Sequence, residues 1–81
     1  MQELEIPYTY CNGRLTVEVH LQYPSDIFLV DSVNFRKYKA GENFKFYGGH
    51  YDYSPVYIRI IGYGPRYLIV RGKGKYQYRF L

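Results

Sequence analysis

Apolar and polar residues alternate along most of the chain, and no segment repeats its apolar residues at the spacing of an amphipathic helix. Alternation with a period of two is typical of strands that bury one face. The pattern predicts one all-β domain over residues 1–81, a small antiparallel β-sandwich or barrel of about six to seven strands. The exception is residues 32–38, where a capping Ser32 predicts one short helical turn.

The first turn signal is Asn12-Gly13, the dipeptide that type I′ hairpin turns prefer because both central residues take positive φ. It predicts a two-residue hairpin with Cys11 opposite Arg14. Tyr8, Tyr10 and their apolar partners would then face the core. Pro7 has no N–H to give at its expected pair, so we expect a bulge, an altered register or an unpaired edge there.

The last third of the chain predicts a three-stranded meander. Its strands would be residues 55–61, 66–71 and 76–81, joined by the turns GYGP and GKGK. One face would be the inner face, with Val56, Ile58, Ile60, Tyr67, Ile69, Tyr78 and Phe80. The outer face would carry Tyr57, Arg59, Ile61, Arg66, Leu68, Val70 and Arg79.

Pairing Ile61 with Arg66 across the GYGP turn places Arg59, Leu68 and Arg79 in one row of the outer face. Guanidinium groups about one strand spacing apart can grip a phosphate or a carboxylate. Aliphatic residues among arginines also suit a contact with a protein partner. The simplest alternative is that the arginine stems cover Leu68 while the charged heads stay in water.

The stretch FKFYGGHYDYSP, residues 44–55, concentrates rings around a glycine pair. Gly48-Gly49 predicts a sharp exit from a strand, because glycine takes positive φ without a steric cost. His50 and Tyr51 are candidate binding residues, and Asp52 lies near enough along the chain to contact His50. The stretch is a crowded corner, a ligand cradle or an active site, in decreasing order of preference.

Charge is distributed unevenly over the chain. Residues 1–35 hold one base and five acids, a net charge of −4, whereas residues 36–81 hold ten bases and two acids, a net charge of +8. Such a protein favours an anionic partner, or head-to-tail contact with a second copy of itself. Glu3 and Glu5 lie in the acidic first part of the chain, which would make the head-to-tail contact with a second copy.

No catalytic or metal-binding motif is present. The single cysteine, Cys11, cannot form an internal disulfide, and zinc sites draw several Cys or His ligands at close spacing. We therefore expect a protein that is not an enzyme, with no catalytic residues, no metal and no cofactor. The acidic start of the chain and the lack of a long apolar run predict a cytoplasmic protein with no membrane contact.

Part of the chain is similar to a known family. The pattern Asn34-Phe35, Tyr38 and Gly41, then YGGHY at 47–51, Pro55-Val56 and a glycine-centred turn at 62–64 resembles a family of small bacterial all-β domains of unknown function. The resemblance covers residues 34–70. It implies a compact β-sandwich or barrel and brings no reaction or cofactor. Some members are fused to TIR-type domains, which implies a recognition module that feeds an effector.

We therefore expect a non-enzymatic recognition or interaction module that uses a basic, aromatic sheet face. The alternatives are a self-associating structural subunit, a binder of anionic ligands, or a binder of single-stranded nucleic acid. Nucleic acid is disfavoured because the rings of the last strand and Arg79 would lie on opposite faces. The expected binding residues are Arg59, Arg66, Arg79, Tyr57, His50 and Tyr51, and the expected turn residues are Gly48, Gly49, Asn12 and Gly13.

Overall fold

The computed structural model describes residues 6–81, so Glu3 and Glu5 lie outside the described part of the chain. Five strands form one antiparallel sheet in the order β3-β2-β4-β1-β5. The all-β class and the short helix are confirmed, with five strands here rather than six or seven. The elements are β1 (Tyr8–Leu21), β2 (Ser25–Val30), α1 (Ser32–Lys39), β3 (Tyr47–Tyr51), β4 (Val56–Gly72) and β5 (Tyr76–Phe80).

The long strands β1 and β4 form a continuous antiparallel ribbon, in which Tyr8 lies opposite Tyr67 and Val19 lies opposite Val56. Pro7 precedes the ribbon, and its carbonyl accepts a hydrogen bond from the Leu68 N–H at 2.9 Å. Its missing N–H therefore breaks no ladder bond. The buried core draws on β1, β2 and β4 and consists of Cys11, Leu15, Val17, Val19, Ile27, Leu29, Val56, Ile58, Ile60 and Leu68.

The predicted hairpin at Asn12-Gly13 and the predicted turn GYGP are both wrong, because β1 and β4 run straight through them. Gly13 lies directly opposite Gly62, with φ of 95° and 157°. The positive φ that suggested a turn is used here to bend a strand. A strand can bend at such a point and keep its ladder when its partner has a glycine at the same level.

Because β4 does not turn at GYGP, its residues continue to alternate between the inner and the outer face through this segment. Even-numbered residues stay on the inner face to the end of the strand, so Leu68 is fully buried and Tyr67 lies on the outer face. The predicted faces are therefore inverted from residue 66 to the end of β4. The meander is also wrong, since β5 pairs with β1 and places Phe80 opposite Val17.

One curled sheet encloses the core, without a second sheet in the described chain. Tyr51 belongs to β3, while Tyr76 and Phe80 belong to β5, at the opposite edge of the sheet. All three side chains pack against the same buried cluster. The sheet therefore wraps around its own interior, as in a barrel, rather than stacking on another layer as in a sandwich.

Helix α1 covers one half of the outer face. Asp31, rather than the predicted Ser32, caps the helix by accepting a hydrogen bond from the Asn34 N–H at 2.8 Å. Phe35 stacks on Tyr67 with ring centroids 4.1 Å apart. Phe28 on the outer face of β2 contacts Phe44 and Phe46. Rings thus form a second, smaller apolar cluster on the outside of β2 and the second half of β4.

The glycine pair lies inside β3 and is not the predicted turn. Gly48 and Gly49 pair with Phe28 and Ile27, and both keep positive φ, at 130° and 156°. A Cβ on Gly48 would collide with the Ile27 carbonyl oxygen, whereas a Cβ on Gly49 would meet no atom within 4 Å. Close approach of two backbones, rather than a chain reversal, is what requires Gly48.

Alanine substitutions should separate these two glycines. Gly49→Ala is expected to cost about 1 kcal/mol, because only the backbone strain of positive φ opposes it. Gly48→Ala adds a collision with the neighbouring backbone and is expected to cost about 3 kcal/mol or more. Urea unfolding of the two variants and the parent chain measures both values. Equal losses would show that close packing at Gly48 does not constrain the fold.

Candidate functional site

A row of three hydrogen-bonded side chains crosses the outer face of β4, β1 and β5. Glu18 lies opposite Tyr57 on one side and opposite Arg79 on the other. The Tyr57 hydroxyl donates to Glu18 Oε2 at 2.8 Å, and Arg79 Nε donates to Glu18 Oε1 at 2.7 Å. The Glu18 side chain is only 8% exposed. This carboxylate therefore ties three strands together at one level.

The same contacts change the pKa of each group. The Arg79 hydrogen bond, followed by the Tyr57 hydrogen bond, lowers the pKa of Glu18 from 4.5 to about 2. The hydrogen bond to Glu18 raises the pKa of Arg79, and the bond to Glu18 likewise raises the pKa of Tyr57. The charge of Arg79 is thus neutralised by Glu18 within the protein, so Arg79 is a poorer candidate to bind an anionic ligand.

The three arginines expected to form a basic face do not share one. Arg59 and Arg79 lie on the outer face, at different levels, since Arg59 is opposite Thr16. Arg66 lies on the inner face of β4. Leu68, the expected centre of the row, is buried on that same inner face. The predicted row of Arg59, Leu68 and Arg79 is wrong because it depended on a turn at GYGP.

His50 and Tyr51 point to opposite faces of β3. His50 Nδ1 lies 2.8 Å from Asp26 Oδ1 directly across the ladder, so its partner is Asp26 rather than the neighbouring Asp52. Both side chains of this pair are well exposed to solvent. Tyr51 packs against the core, and burial raises its pKa. The two candidates from the YGGHY stretch therefore do not converge on one site.

Large apolar side chains remain exposed on the outer face of the ribbon. Ile61 is 81% exposed and Tyr63 is 74% exposed. Arg14 lies directly opposite Ile61, and Arg59 lies two residues before it on the same face. We call this surface the tyrosine–arginine face; it consists of Tyr8, Tyr10, Arg14, Arg59, Ile61 and Tyr63.

Arg59 and Ile61 were placed on this face from the sequence, but its tyrosines were not. The predicted hairpin assigned Tyr8 and Tyr10 to the core, and the predicted GYGP turn took Tyr63 out of the sheet. One signal was available: the alternation of β1 and β4 continues without a break through Asn12-Gly13 and through GYGP. Read as two long strands, that alternation places all three tyrosines outside.

A cleft opens where β2 passes into α1. Its volume is ≈ 560 Å³, and we call it the Arg66 cleft. Its walls come from the β2–α1 junction, from the segment that leads into β3 and from the inner face of β4. The lining residues are Leu29, Val30, Asp31, Asn34, Lys45, Phe46, Tyr47 and Arg66.

Two further features were sought among residues 6–81. No group of three or more His, Cys, Asp or Glu side chains is placed to hold a metal ion. Within the same residues, no helix has the length and apolar character needed to cross a membrane.

Comparison with known families identifies a match over residues 8–78 with a domain of unknown function, DUF1883. Since the match covers nearly the whole chain, the chain belongs to this family. The predicted membership of a family of unknown function is confirmed, and the similarity extends beyond residues 34–70 to the first and last strands. Comparisons with curated proteins and with solved structures found no match.

Protonation of Glu18 should weaken the fold in acid. With a folded-state pKa of about 2, below the ordinary 4.5, the contribution of the carboxylate is complete above the unfolded pKa. It is lost as the pH falls through the folded-state value. The free energy of unfolding from urea titrations is therefore expected to fall between about pH 5 and about pH 2.

Glu18→Gln should flatten this dependence, whereas Glu42→Gln, an exposed acid elsewhere, should leave it unchanged. Asp31 also has a lowered pKa, caused first by its hydrogen bond from the Asn34 backbone, so a smaller slope should remain in every variant. Identical slopes in Glu18→Gln and the parent chain would contradict the assigned role of Glu18.

Proposed function

We propose that this chain is a non-enzymatic recognition module that binds an acidic protein segment through the tyrosine–arginine face. The observation that carries the proposal is Ile61, which is 81% exposed between two arginines. A β-branched aliphatic side chain gains nothing from such exposure. When a partner covers this side chain, the free energy falls by about 25 cal/mol per Å² of apolar surface removed from water.

The composition of the face supports a protein partner. Tyrosine and arginine are enriched in the buried centres of protein interfaces, where each adds a large contact area with a polar end. Tyr63 follows Ile61 on this face, and Tyr10 and Tyr8, each 63% exposed, lie further along the ribbon, opposite Pro65 and Tyr67. An aliphatic side chain with arginines beside it and rings further along suits a partner that offers apolar side chains among carboxylates.

Charge supports an acidic partner. Among residues 6–81, neither Arg14 nor Arg59 takes part in a salt bridge. The formal net charge of the chain is +4. Complementary charge steers association and selects among partners more than it adds to affinity.

Self-association fits this face less well. Of the five acids in the described chain, Glu18 and Asp26 have side-chain partners and Asp31 caps α1. Glu42 and Asp52 are left to meet the arginines of a second copy. Residues 6–81 therefore offer little acidic surface of their own, which favours a different protein as the partner.

Single-stranded nucleic acid is the second candidate. The register places exposed rings and arginines on one face, whereas the predicted register had separated them. Rings beside cations are what such binders use to stack bases and to neutralise phosphates. The exposed aliphatic Ile61, directly opposite Arg14, favours protein over nucleic acid.

The resemblance in the central part of the chain extends the proposal. If relatives are bacterial and some carry a TIR-type domain, this domain is the recognition part that reports a partner to an effector, in the cytoplasm. A domain in that position needs to bind a partner and need not catalyse a reaction.

A titration monitored by amide NMR tests the proposal with a synthetic extended peptide of alternating glutamate and leucine. Shifts are expected in residues 8–14 and 59–65, with binding that weakens as salt rises. Ile61→Ser and Arg59→Gln should each weaken binding roughly fivefold. Both side chains are exposed, so the fold should be unaffected.

Matched controls change the same kinds of residue elsewhere on the surface. Tyr53→Ser and Lys73→Gln should bind the peptide as the parent chain does. If the control variants bind the peptide as weakly as Ile61→Ser and Arg59→Gln do, the proposal is wrong. If oligouridylate binds more tightly than the peptide and shifts the same amides, the partner is nucleic acid rather than protein. If these amides shift when the protein alone is concentrated, the face serves self-association.

A further inference from the structure

The Arg66 cleft opens at the end of β2, and the residue of β4 that lines it, Arg66, does not belong to the tyrosine–arginine face. Its volume of ≈ 560 Å³ falls within the range of small-molecule sites in proteins. Alternation along β4 places Arg66 on the inner face, while Tyr63 and Pro65 lie on the outer face. The residues that line the cleft are therefore different from those of the tyrosine–arginine face.

Arg66 is the unusual residue of the inner face, which elsewhere on β4 is apolar or glycine. Its guanidinium lies back over the glycines of the bent ribbon, so that a Cβ on Gly62 would come within 2.7 Å of Arg66 Nη2. Arg66 Nη1 donates to the Pro65 carbonyl at 3.0 Å. The absence of side chains at Gly62 and Gly64 thus makes the space that this cation occupies.

Apart from the bond to the Pro65 carbonyl, the side chain of Arg66 makes no hydrogen bond within the described chain. Its Nε is buried with no hydrogen-bond partner, and Arg66 takes part in no salt bridge among residues 6–81. A buried donor without a partner is unfavourable, more so when the group is charged. A guanidinium group at the wall of a cleft that makes no salt bridge is therefore suited to bind an anion.

The opposite wall is held rigid by hydrogen bonds. Asp31 Oδ1 accepts from both the backbone N–H and the side-chain amide of Asn34, at 2.8 and 2.9 Å. Asn34 Oδ1 in turn accepts from the Lys45 N–H at 2.8 Å. Asp31 therefore caps the helix, and the backbone of Lys45 is fixed beside Asn34. The lining residues include two cations, Arg66 and Lys45, and one carboxylate, Asp31, so their formal net charge is positive.

Two rings complete the wall beside these cations. Phe46 and Tyr47 are 45% and 55% exposed, although they line a concave surface. Exposed rings at the edge of a cleft provide apolar area that a ligand can cover. We propose that the Arg66 cleft binds a small molecule with a phosphate or carboxylate group on an aromatic body, held by Arg66 and Lys45.

Simple probes test this assignment by amide NMR: phenyl phosphate, benzoate and the uncharged benzyl alcohol. Shifts at Asn34, Lys45 and Arg66 are expected with at least one anion, with a dissociation constant on the order of 1 mM for molecules of this size. The anion that binds more tightly shows whether the cleft prefers a phosphate or a carboxylate group. Benzyl alcohol should bind at least roughly tenfold more weakly, because it lacks the charge-assisted hydrogen bonds.

Arg66→Met keeps the side-chain stem and should weaken anion binding roughly tenfold. Arg71→Met, an exposed arginine on the outer face of the same strand, should not change it. Should Arg66→Met fail to fold, Lys45→Ala, at an exposed position, should still weaken binding. Absence of shifts with both anions would overturn the proposal. Equal binding of benzyl alcohol, or binding unchanged in Lys45→Ala and in any folded Arg66→Met, would do the same.

Discussion

The continuous pairing of β1 with β4 is the constraint on which the rest of the structure depends. The ribbon joins Tyr8–Val19 to Val56–Tyr67, and both strands continue beyond this pairing at one end. The end of β1 receives β5, and the end of β4 receives β2, which then receives β3. A chain this short has no other element long enough to set the sheet's curvature, so the ribbon also determines where the core lies.

Glycines on the inner face allow the ribbon to bend. Gly13 lies opposite Gly62, and Gly64 lies opposite Cys11, so the inner face has few side chains at this level. Cys11 is buried there, with its thiol 3.2 Å from the Gly62 carbonyl oxygen to which it donates. Arg66 occupies the space that remains. The positions that bend the sheet are therefore also the ones that place a cation at the cleft.

The fold class followed from alternation alone, whereas the topology did not. Period-two patterning reports that a residue is in a strand and which neighbours share its face. It does not report which strand lies beside it. Asn12-Gly13 and GYGP have the composition of turns, and their use as bends depends on a partner glycine some fifty positions away along the chain. Once the GYGP turn is assumed, the faces of the rest of β4 are inverted, which is why Arg66 and Leu68 were placed outside while Arg59 and Ile61, before the false turn, were placed correctly.

The two surfaces share a packed wall. Tyr8 of the tyrosine–arginine face stacks on Tyr67, with ring centroids 5.4 Å apart, and Tyr67 stacks on Phe35 of α1. The same helix begins at the Asp31 cap and carries Asn34, which lines the Arg66 cleft. A stack of three rings therefore runs from the exposed face to the element that shapes the cleft. Rings packed in this way hold both surfaces in place before any partner arrives, and such preorganisation reduces the entropy that binding must overcome.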